Sequence, residues 1–312
     1  FKINSLKTIK MFLTSYKNNF LTDFINQDIS LRSGIPKDYY HLKDHVFQDW
    51  EIPPWELFIY KDKILGKGSF STVYLAKWRE TFVVAKVIDE EFCKNKKHIV
   101  LREFDIMTKI HHPNIVQFLG YIDDPFIIVL EYIPKGNLLN KIPQLKKTQK
   151  ISIMKDILRG IGYIHNRKPY SLIHRDIKPT NILLTNSKVA KIADFGLSKF
   201  YNYEKINSHQ NLEQLNNEHE TFELTTDVGT ERYMAPEMLA KKKYDYKIDI
   251  FACGIMFYEM FENKRYIPNT KMTWSKCPKK IKTIIVENML CQDPDSRLSA
   301  INLLKLLHQL QI

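Results

Sequence analysis

Glycine is scarce in this chain: ten in 312 residues, far too few for a collagen-like or glycine-rich low-complexity protein. Cysteine is nearly absent as well. Cys93, Cys253, Cys277 and Cys291 form no CxxC pair and have no histidine at zinc-ligand spacing, which reads as a reducing, intracellular and cytoplasmic chain rather than a zinc module. No apolar run approaches the ~20 residues of a membrane span. Residues 11–25 are interrupted by Lys17, Asn18, Asn19 and Asp23, which excludes a signal h-region there. No repeat period is visible. The chain starts at Phe1, which leaves open that it is a fragment or a processed product with an anchor upstream.

What is present is ordinary globular material with one excess. Hydrophobic residues make up 44% and charged residues 26%, and the length suggests about two compact units. Forty-seven Lys+Arg against 35 Asp+Glu give a formal net charge of +12, which raises nucleic acid or an anionic membrane as partner. The basic stretches 141–168 and 263–282 read more simply as solvated faces, and an abundance of Lys, Ile and Asn raises the charge with no partner selecting for it, so nucleic acid is disfavoured.

The chain changes character along its length. Residues 1–56 form an extension with no nameable chemistry. Short β-branched or aromatic runs follow at 57–60, 72–77, 82–88, 116–122 and 126–132, which predict five antiparallel strands. A helix is expected at about 97–110, where Leu101, Phe104, Met107 and Ile110 recur every three residues. Beyond Gly136 the pattern is helical. Residues 148–165 present one apolar face, 248–261 are apolar nearly all round and so belong at a domain centre, and a last helix starts at Ser299 as its cap. The fold class is α+β: a small five-stranded unit with one helix, then a larger helical unit.

Three segments carry chemistry. Leu65-Gly66-Lys67-Gly68-Ser69-Phe70-Ser71-Thr72-Val73 is a turn between two strands whose side-chain-free backbone at Gly66 and Gly68 can approach an anion. Alone it reads more readily as a flexible hairpin turn. Lys86 sits within the apolar strand Val83-Val84-Ala85-Lys86-Val87, and Glu103 lies on the following helix as a candidate counter-charge, although an edge lysine would snorkel to water. The densest segment is His174-Arg175-Asp176-Ile177-Lys178-Pro179-Thr180-Asn181, with Asp194-Phe195-Gly196 after it. Ionisable residues crowded between apolar runs are poor core and poor surface. One carboxylate can take a hydroxyl proton, while an amide oxygen and a second carboxylate suit Mg²⁺.

Together with Ala235-Pro236-Glu237 and the segment Asp249 to Gly254, these motifs resemble the eukaryotic protein kinase family in type and order. Lys178 and Val228-Gly229-Thr230-Glu231-Arg232-Tyr233 are similar to the serine/threonine branch. Trp50-Glu51-Ile52, Lys77-Trp78 and His112-Pro113-Asn114-Ile115-Val116 resemble its tyrosine-kinase-like group. The resemblance implies a bilobal fold, with a kinase domain over 57–312 (57–134 the N-lobe with hinge, 135–312 the C-lobe). It implies an enzyme that transfers the γ-phosphate of Mg-ATP to Ser/Thr hydroxyls of protein substrates.

It also implies the roles of single residues. Leu65 to Val73 would cover the ATP phosphates, Lys86 would contact the α- and β-phosphates and be held by Glu103, Asp176 would accept the hydroxyl proton, and Lys178 would neutralise charge on the transferring group. Asn181 and Asp194 would hold Mg²⁺. Val73, Val84 and Leu183 would enclose adenine, Glu131 and Ile133 would bond it through their backbone, and Leu130 would gate the space behind. Met107, Phe118, His174 and Phe195 match the family's internal stack, Glu237 would pair with Arg297, and Asp249 would tie down the His174-Arg175 backbone. An ATP-binding pseudokinase scaffold and a dual-specificity kinase remain the alternatives.

The chain departs from the family pattern in four places. Ser71 stands where a third glycine is common, harmless if its φ is negative. Val84 replaces the usual alanine, which predicts a tighter adenine ceiling. Residues 206–231 hold six acids and no Lys or Arg. That stretch is either a disordered insertion or a segment that docks on Arg175, directly or after phosphorylation or autophosphorylation of Thr221, Thr225 or Thr226. Between Phe261 and Cys277, where the family builds a helix, too few residues remain and Pro268 lies among them, so that helix is expected to be stunted or missing.

Overall fold

A computed structural model of the chain describes residues 50–168, 171–201 and 231–310. Thr221, Thr225, Thr226, the acidic stretch apart from Glu231, and the extension before Trp50 lie outside the described residues. The described chain divides into two compact units: residues up to His98 with Phe118–Tyr132, and Ile99–Gln117 with the chain from Ile133 onward.

The first unit is a five-stranded antiparallel sheet in the order β1 (Leu57–Lys67), β2 (Ser71–Trp78), β3 (Thr81–Ile88), β5 (Ile127–Glu131), β4 (Phe118–Ile122). Its core follows from the two-residue side-chain period of strands. On β3, Val83 and Ala85 are fully buried and pack with Leu57, Ile59, Ala76, Ile127 and Val129, so Val84 and Lys86 stand on the opposite face, partly exposed. Residues 50–52 extend this sheet beyond β4. The Ile52 amide donates to the Tyr121 carbonyl at 2.7 Å and the Tyr121 amide to the Trp50 carbonyl at 2.9 Å. Gly120 permits the approach, because a Cβ there would lie 2.6 Å from the Trp50 carbonyl oxygen.

The helix α1 (Glu90–Lys109) starts earlier than its apolar spacing predicts. Its first turns are polar and carry no apolar repeat, and they are capped by Asp89, whose Oδ1 accepts the Phe92 amide at 3.0 Å. A non-helical residue, Lys96 (φ −132°, ψ 34°), separates them from the predicted amphipathic part.

The second unit centres on α4 (Lys247–Glu262), in which every residue from Ile248 to Glu262 is buried. Around it lie α2 (Lys147–His165), the short α3 (Pro236–Leu239), α5 (Lys279–Asn288) and α6 (Ala300–Gln309), whose cap Ser299 accepts the Asn302 amide at 3.3 Å. Two short antiparallel ladders position the loops that follow. β7 (Ile182–Leu184) pairs with β8 (Ala190–Ile192), and β6 (Ser171–Ile173) with β9 (Lys199–Tyr201). The His174–Asn181 loop joins β6 to β7, and the Asp194–Gly196 turn joins β8 to β9.

No helix forms between Glu262 and Lys279 among the described residues, as the shortened segment predicts. Asn263 ends α4 in the left-handed region (φ 56°). The buried Glu262 carboxylate then accepts the amides of Ser275, Lys276 and Cys277 and the Ser275 hydroxyl, at 2.9 to 3.2 Å. One carboxylate thus organises a segment that has no helix of its own.

Candidate active site

Asp176 is the centre of the site. Its Oδ2 accepts the Lys178 ammonium at 2.9 Å and the Asn181 amide at 2.8 Å, and Asn181 also donates to the Asp176 carbonyl at 2.9 Å. Its other oxygen, Oδ1, is buried and has no hydrogen-bond partner among the described residues. Burial pushes the carboxyl above the usual carboxylate range, against the opposing pull of Lys178. A carboxylate so held by one oxygen has the other open to a donor from beyond the described residues.

The loop is held from beneath by Asp249 in the first turn of α4, as expected. Its Oδ1 accepts the Arg175 amide at 2.8 Å and its Oδ2 the His174 amide at 2.8 Å. Arg175 itself has φ 68°, an uncommon conformation for a non-glycine residue, so these bonds stabilise a costly backbone. His165 adds a third bond that sequence reasoning did not single out. It lies at the end of α2 and its Nε2 donates to Asp249 Oδ2 at 2.9 Å, since a carboxylate only accepts. The signal was a lone histidine on a helix, too common to read. Burial alone would raise the Asp249 carboxyl, but the bonds and charges from His165 and His174 hold it below the ordinary range.

His174 links this floor to the second carboxylate segment. Its Nε2 donates to the Ala193 carbonyl at 3.1 Å and its Nδ1 accepts the Asp176 amide at 3.3 Å, which fixes the tautomer. The ring lies 4.8 Å from the buried Phe195. The Ala193 amide donates to the Asn181 carbonyl at 2.8 Å, so Asn181 and Asp194 are brought beside one another. Asp194 takes φ 64°. A Cβ at Gly196 would stand at ordinary contact distance from both carboxylates, 3.4 Å from Asp194 Oδ1 and 3.5 Å from Glu103 Oε2, so both acids lie beside this turn.

The donor set suits a hard cation. Asn181 spends its NH₂ group on Asp176, which leaves its oxygen, and Asp194 adds a carboxylate. One amide and one carboxylate are too few for a closed protein cage, but they suit Mg²⁺, which shares its shell with phosphates and water.

In the helical unit Glu237 and Arg297 form the expected pair, bidentate at 2.6 and 2.8 Å, with Arg297 1% exposed. A recess beside the loop is lined by Arg175, Asp176, Tyr233, Met234 and Met238 among others. Glu259, also missed, is buried on α4. It accepts the Tyr233 hydroxyl at 2.6 Å and the Tyr266 amide at 2.8 Å, and Arg232 approaches to 3.8 Å.

In the sheet unit, Leu65, Gly66 and Lys67 end β1, and Ser71, Thr72 and Val73 open β2, with Gly66 opposite Val73 and Lys67 opposite Thr72. The turn Gly68-Ser69-Phe70 closes through the Gly68 amide to the Ser71 carbonyl at 2.9 Å, and Phe70 stacks on Phe92 at 4.1 Å. Ser71 has no positive φ, which meets the condition set for it. Lys86 faces Val73 across the strand pair, and Glu131 ends β5 opposite Val83. Ile133 and Leu183 belong to the helical unit. Within the sheet unit Trp50 lies 5.3 Å from Phe118.

The model of the protein kinase domain matches residues 59–308, and the chain belongs to the protein kinase family. It is 37% identical over 227 residues to serine/threonine-protein kinase VIK of Arabidopsis thaliana, covering 69% of this chain and 48% of that protein. Serine/threonine-protein kinase 12 of the same plant is 34% identical over 69% of this chain and 45% of the relative, and serine/threonine-protein kinase CTR1 is 33% identical over 68% and 25%. The chain therefore spans about half of the first two relatives and a quarter of the third. These matches bear out the serine/threonine and tyrosine-kinase-like resemblance. No helix among the described residues is long and apolar enough to cross a membrane.

Proposed function

We propose that the chain is a catalytically active serine/threonine kinase, which transfers the γ-phosphate of Mg-ATP to hydroxyls of protein substrates. The observation that carries this reading is Asp176: buried, braced on Oδ2 by Lys178 and Asn181, with Oδ1 left without a partner. In this reading Oδ1 accepts the proton of the substrate hydroxyl as the hydroxyl oxygen bonds to the γ-phosphorus and the bond to the β-phosphate oxygen breaks. Lys178 screens negative charge gathering on the transferred group. Asn181 and Asp194 hold Mg²⁺, which when bound neutralises phosphate charge.

Lys86 contacts the α- and β-phosphates with Glu103 as its counter-charge, and the kinase domain spans 57–312. The backbone of Leu65 to Val73 covers the phosphates. Two facts support that last role. Neither Gly66 nor Gly68 has a positive φ, and a Cβ at either would meet nothing nearer than 3.6 Å, so nothing within the described protein demands glycine there. A ligand's close approach to the backbone does. Val84, with Val73 and Leu183, encloses adenine, and Glu131 and Ile133 offer backbone bonds.

The test is transfer of radiolabelled γ-phosphate to generic acceptor proteins and to the chain itself, with Asp176→Asn as control. Wild type should label Ser and Thr, and the variant should fall by about 10²–10⁴-fold. Mass spectrometry of the same sample reads autophosphorylation at Thr221, Thr225 or Thr226. Labelled tyrosine would indicate dual specificity. No incorporation at all, with ATP still bound, would refute catalysis and leave a scaffold.

A further inference from the structure

Besides Asp176, the acid among the residues lining the recess is Asp249, and it is committed inside the protein, as are the buried Glu237 and Glu259 of the same unit. Asp249 holds two loop amides and His165, Glu237 is locked to Arg297, and Glu259 is 2% exposed with both oxygens occupied by Tyr233 and the Tyr266 amide. Glu231 is exposed and Asp245 partly exposed, but neither lines the recess. Most of the exposed charge there has the opposite sign. Lys241, Lys242 and Lys243 follow α3, the element that brings Met238 to the recess, and all three are exposed.

Their position is fixed by the backbone. The Lys241 amide donates to the Met238 carbonyl at 3.0 Å and the Lys242 amide to the Glu237 carbonyl at 2.9 Å. At the far end of the run, the Tyr244 hydroxyl accepts Arg175 Nη1 at 3.3 Å, beside Asp176 itself. On the Tyr233 side, exposed Arg265 precedes Tyr266, which shares the Glu259 carboxylate with Tyr233. Among the described residues none of these four cations has an acidic partner. Glu231 and Asp245 are the nearby acids in sequence, and Asp245 already accepts the Lys247 amide at 2.8 Å.

We propose that this site selects protein segments whose acceptor Ser or Thr is flanked by anionic side chains, with Lys241, Lys242, Lys243 and Arg265 as the specificity-determining residues. The proposal rests on the kinase reading for its acceptor, and it adds the chemistry of the substrate. Carboxylates and phosphates share the recognised feature, and a substrate already phosphorylated nearby would satisfy it as well as an acidic one. Each exposed ion pair contributes only a few tenths of a kcal/mol to about 1. Two or three of them together amount to about a tenfold preference.

The experiment uses the full chain and three matched peptides with one threonine flanked by Glu, Gln or Lys. The Glu peptide should have a kcat/KM about tenfold above the Gln peptide, with Lys lowest, and the gap should shrink in high salt. In the Lys241→Ala, Lys242→Ala, Lys243→Ala, Arg265→Ala variant the Glu-to-Gln ratio should fall to near one, with unchanged melting as proof of folding. A phosphoserine peptide that outperforms Glu assigns the site to phosphate, and one that does not assigns it to carboxylate. Equal or base-preferring kinetics in wild type, or selectivity that survives the quadruple variant, overturns the proposal.

Fluorescence anisotropy of the labelled peptides on the Asp176→Asn chain reads the same selectivity without turnover. A protein that binds acidic peptide selectively and phosphorylates nothing overturns the kinase reading alone. One that phosphorylates without preference overturns this inference alone.

Discussion

Replacing Asp249 by Asn tests how the helical core sets the geometry of the His174–Asn181 loop. The substitution is nearly isosteric, so packing around the fully buried side chain is kept and only hydrogen bonding changes. The amide oxygen can still accept the Arg175 amide. The new NH₂ group faces two former donors, the His174 amide and His165 Nε2. His165 can adapt by turning its ring proton to Nδ1, a buried atom without a partner, whereas a backbone N–H cannot adapt. The net loss is about one charge-assisted bond and one orphaned amide, about 2–3 kcal/mol, or a melting point lower by about 5–10 °C.

Activity should suffer more than stability, because Arg175 sits at φ 68° against those bonds and Asp176 follows it. A displacement of the loop by ~1 Å would lower kcat by about 10²-fold, with the KM for ATP little changed. The stability gap should also close in acid. The folded Asp249 carboxyl lies below its ordinary 3.8, so its contribution is present above the unfolded value and is lost as pH falls through the folded one. A variant that melts within 1 °C of wild type, as read by calorimetry, and keeps its kcat would refute the reasoning.

Arg297→Ala should cost about 3–5 kcal/mol in urea unfolding, because it strands a buried Glu237 carboxylate, and Arg297→Lys should recover only part since it cannot bond both oxygens. Glu262→Ala removes the acceptor of three amides and a hydroxyl, so hydrogen exchange at 275–277 should rise sharply while the strands of the sheet unit keep their protection. On the proposed mechanism the acid limb of kcat should titrate above the ordinary Asp value of 3.8, because burial raises the Asp176 carboxyl and the proposed base accepts a proton only when ionised. The stability sign is opposite: a raised folded carboxyl favours the protonated state, so Asp176→Asn should be more stable than wild type at neutral pH, with the gap closing as pH falls. A melting comparison at pH 7 and pH 4 checks it.

Local patterns carried much of this architecture. The five strands read from short β-branched and aromatic runs, because those side chains fit a pleated, half-buried surface, and α4 read as central because a helix apolar all round has nowhere else to go. The motif residues Asp176, Asn181 and Asp194 read from density and spacing alone. The start of α1 did not, since a cap by Asp89 acts through one side-chain oxygen and leaves no apolar period. Nor did Glu259 and Glu262 stand out, for a carboxylate within an apolar helix looks like an exception until its partners, tens of residues away in Tyr233 or near at hand in Ser275 to Cys277, are known.

The sequence by itself determined which residues could do the chemistry, because ionisable groups compressed between apolar runs have few other uses. Only the tertiary structure decided how they are poised. The net charge of +12 is a sum, and a sum has no direction. Folding commits Asp249, Glu237 and Glu259 to internal bonds and leaves Lys241 to Lys243 and Arg265 outside, so the sign of the surface beside Asp176 depends on which acids are buried rather than on how many there are.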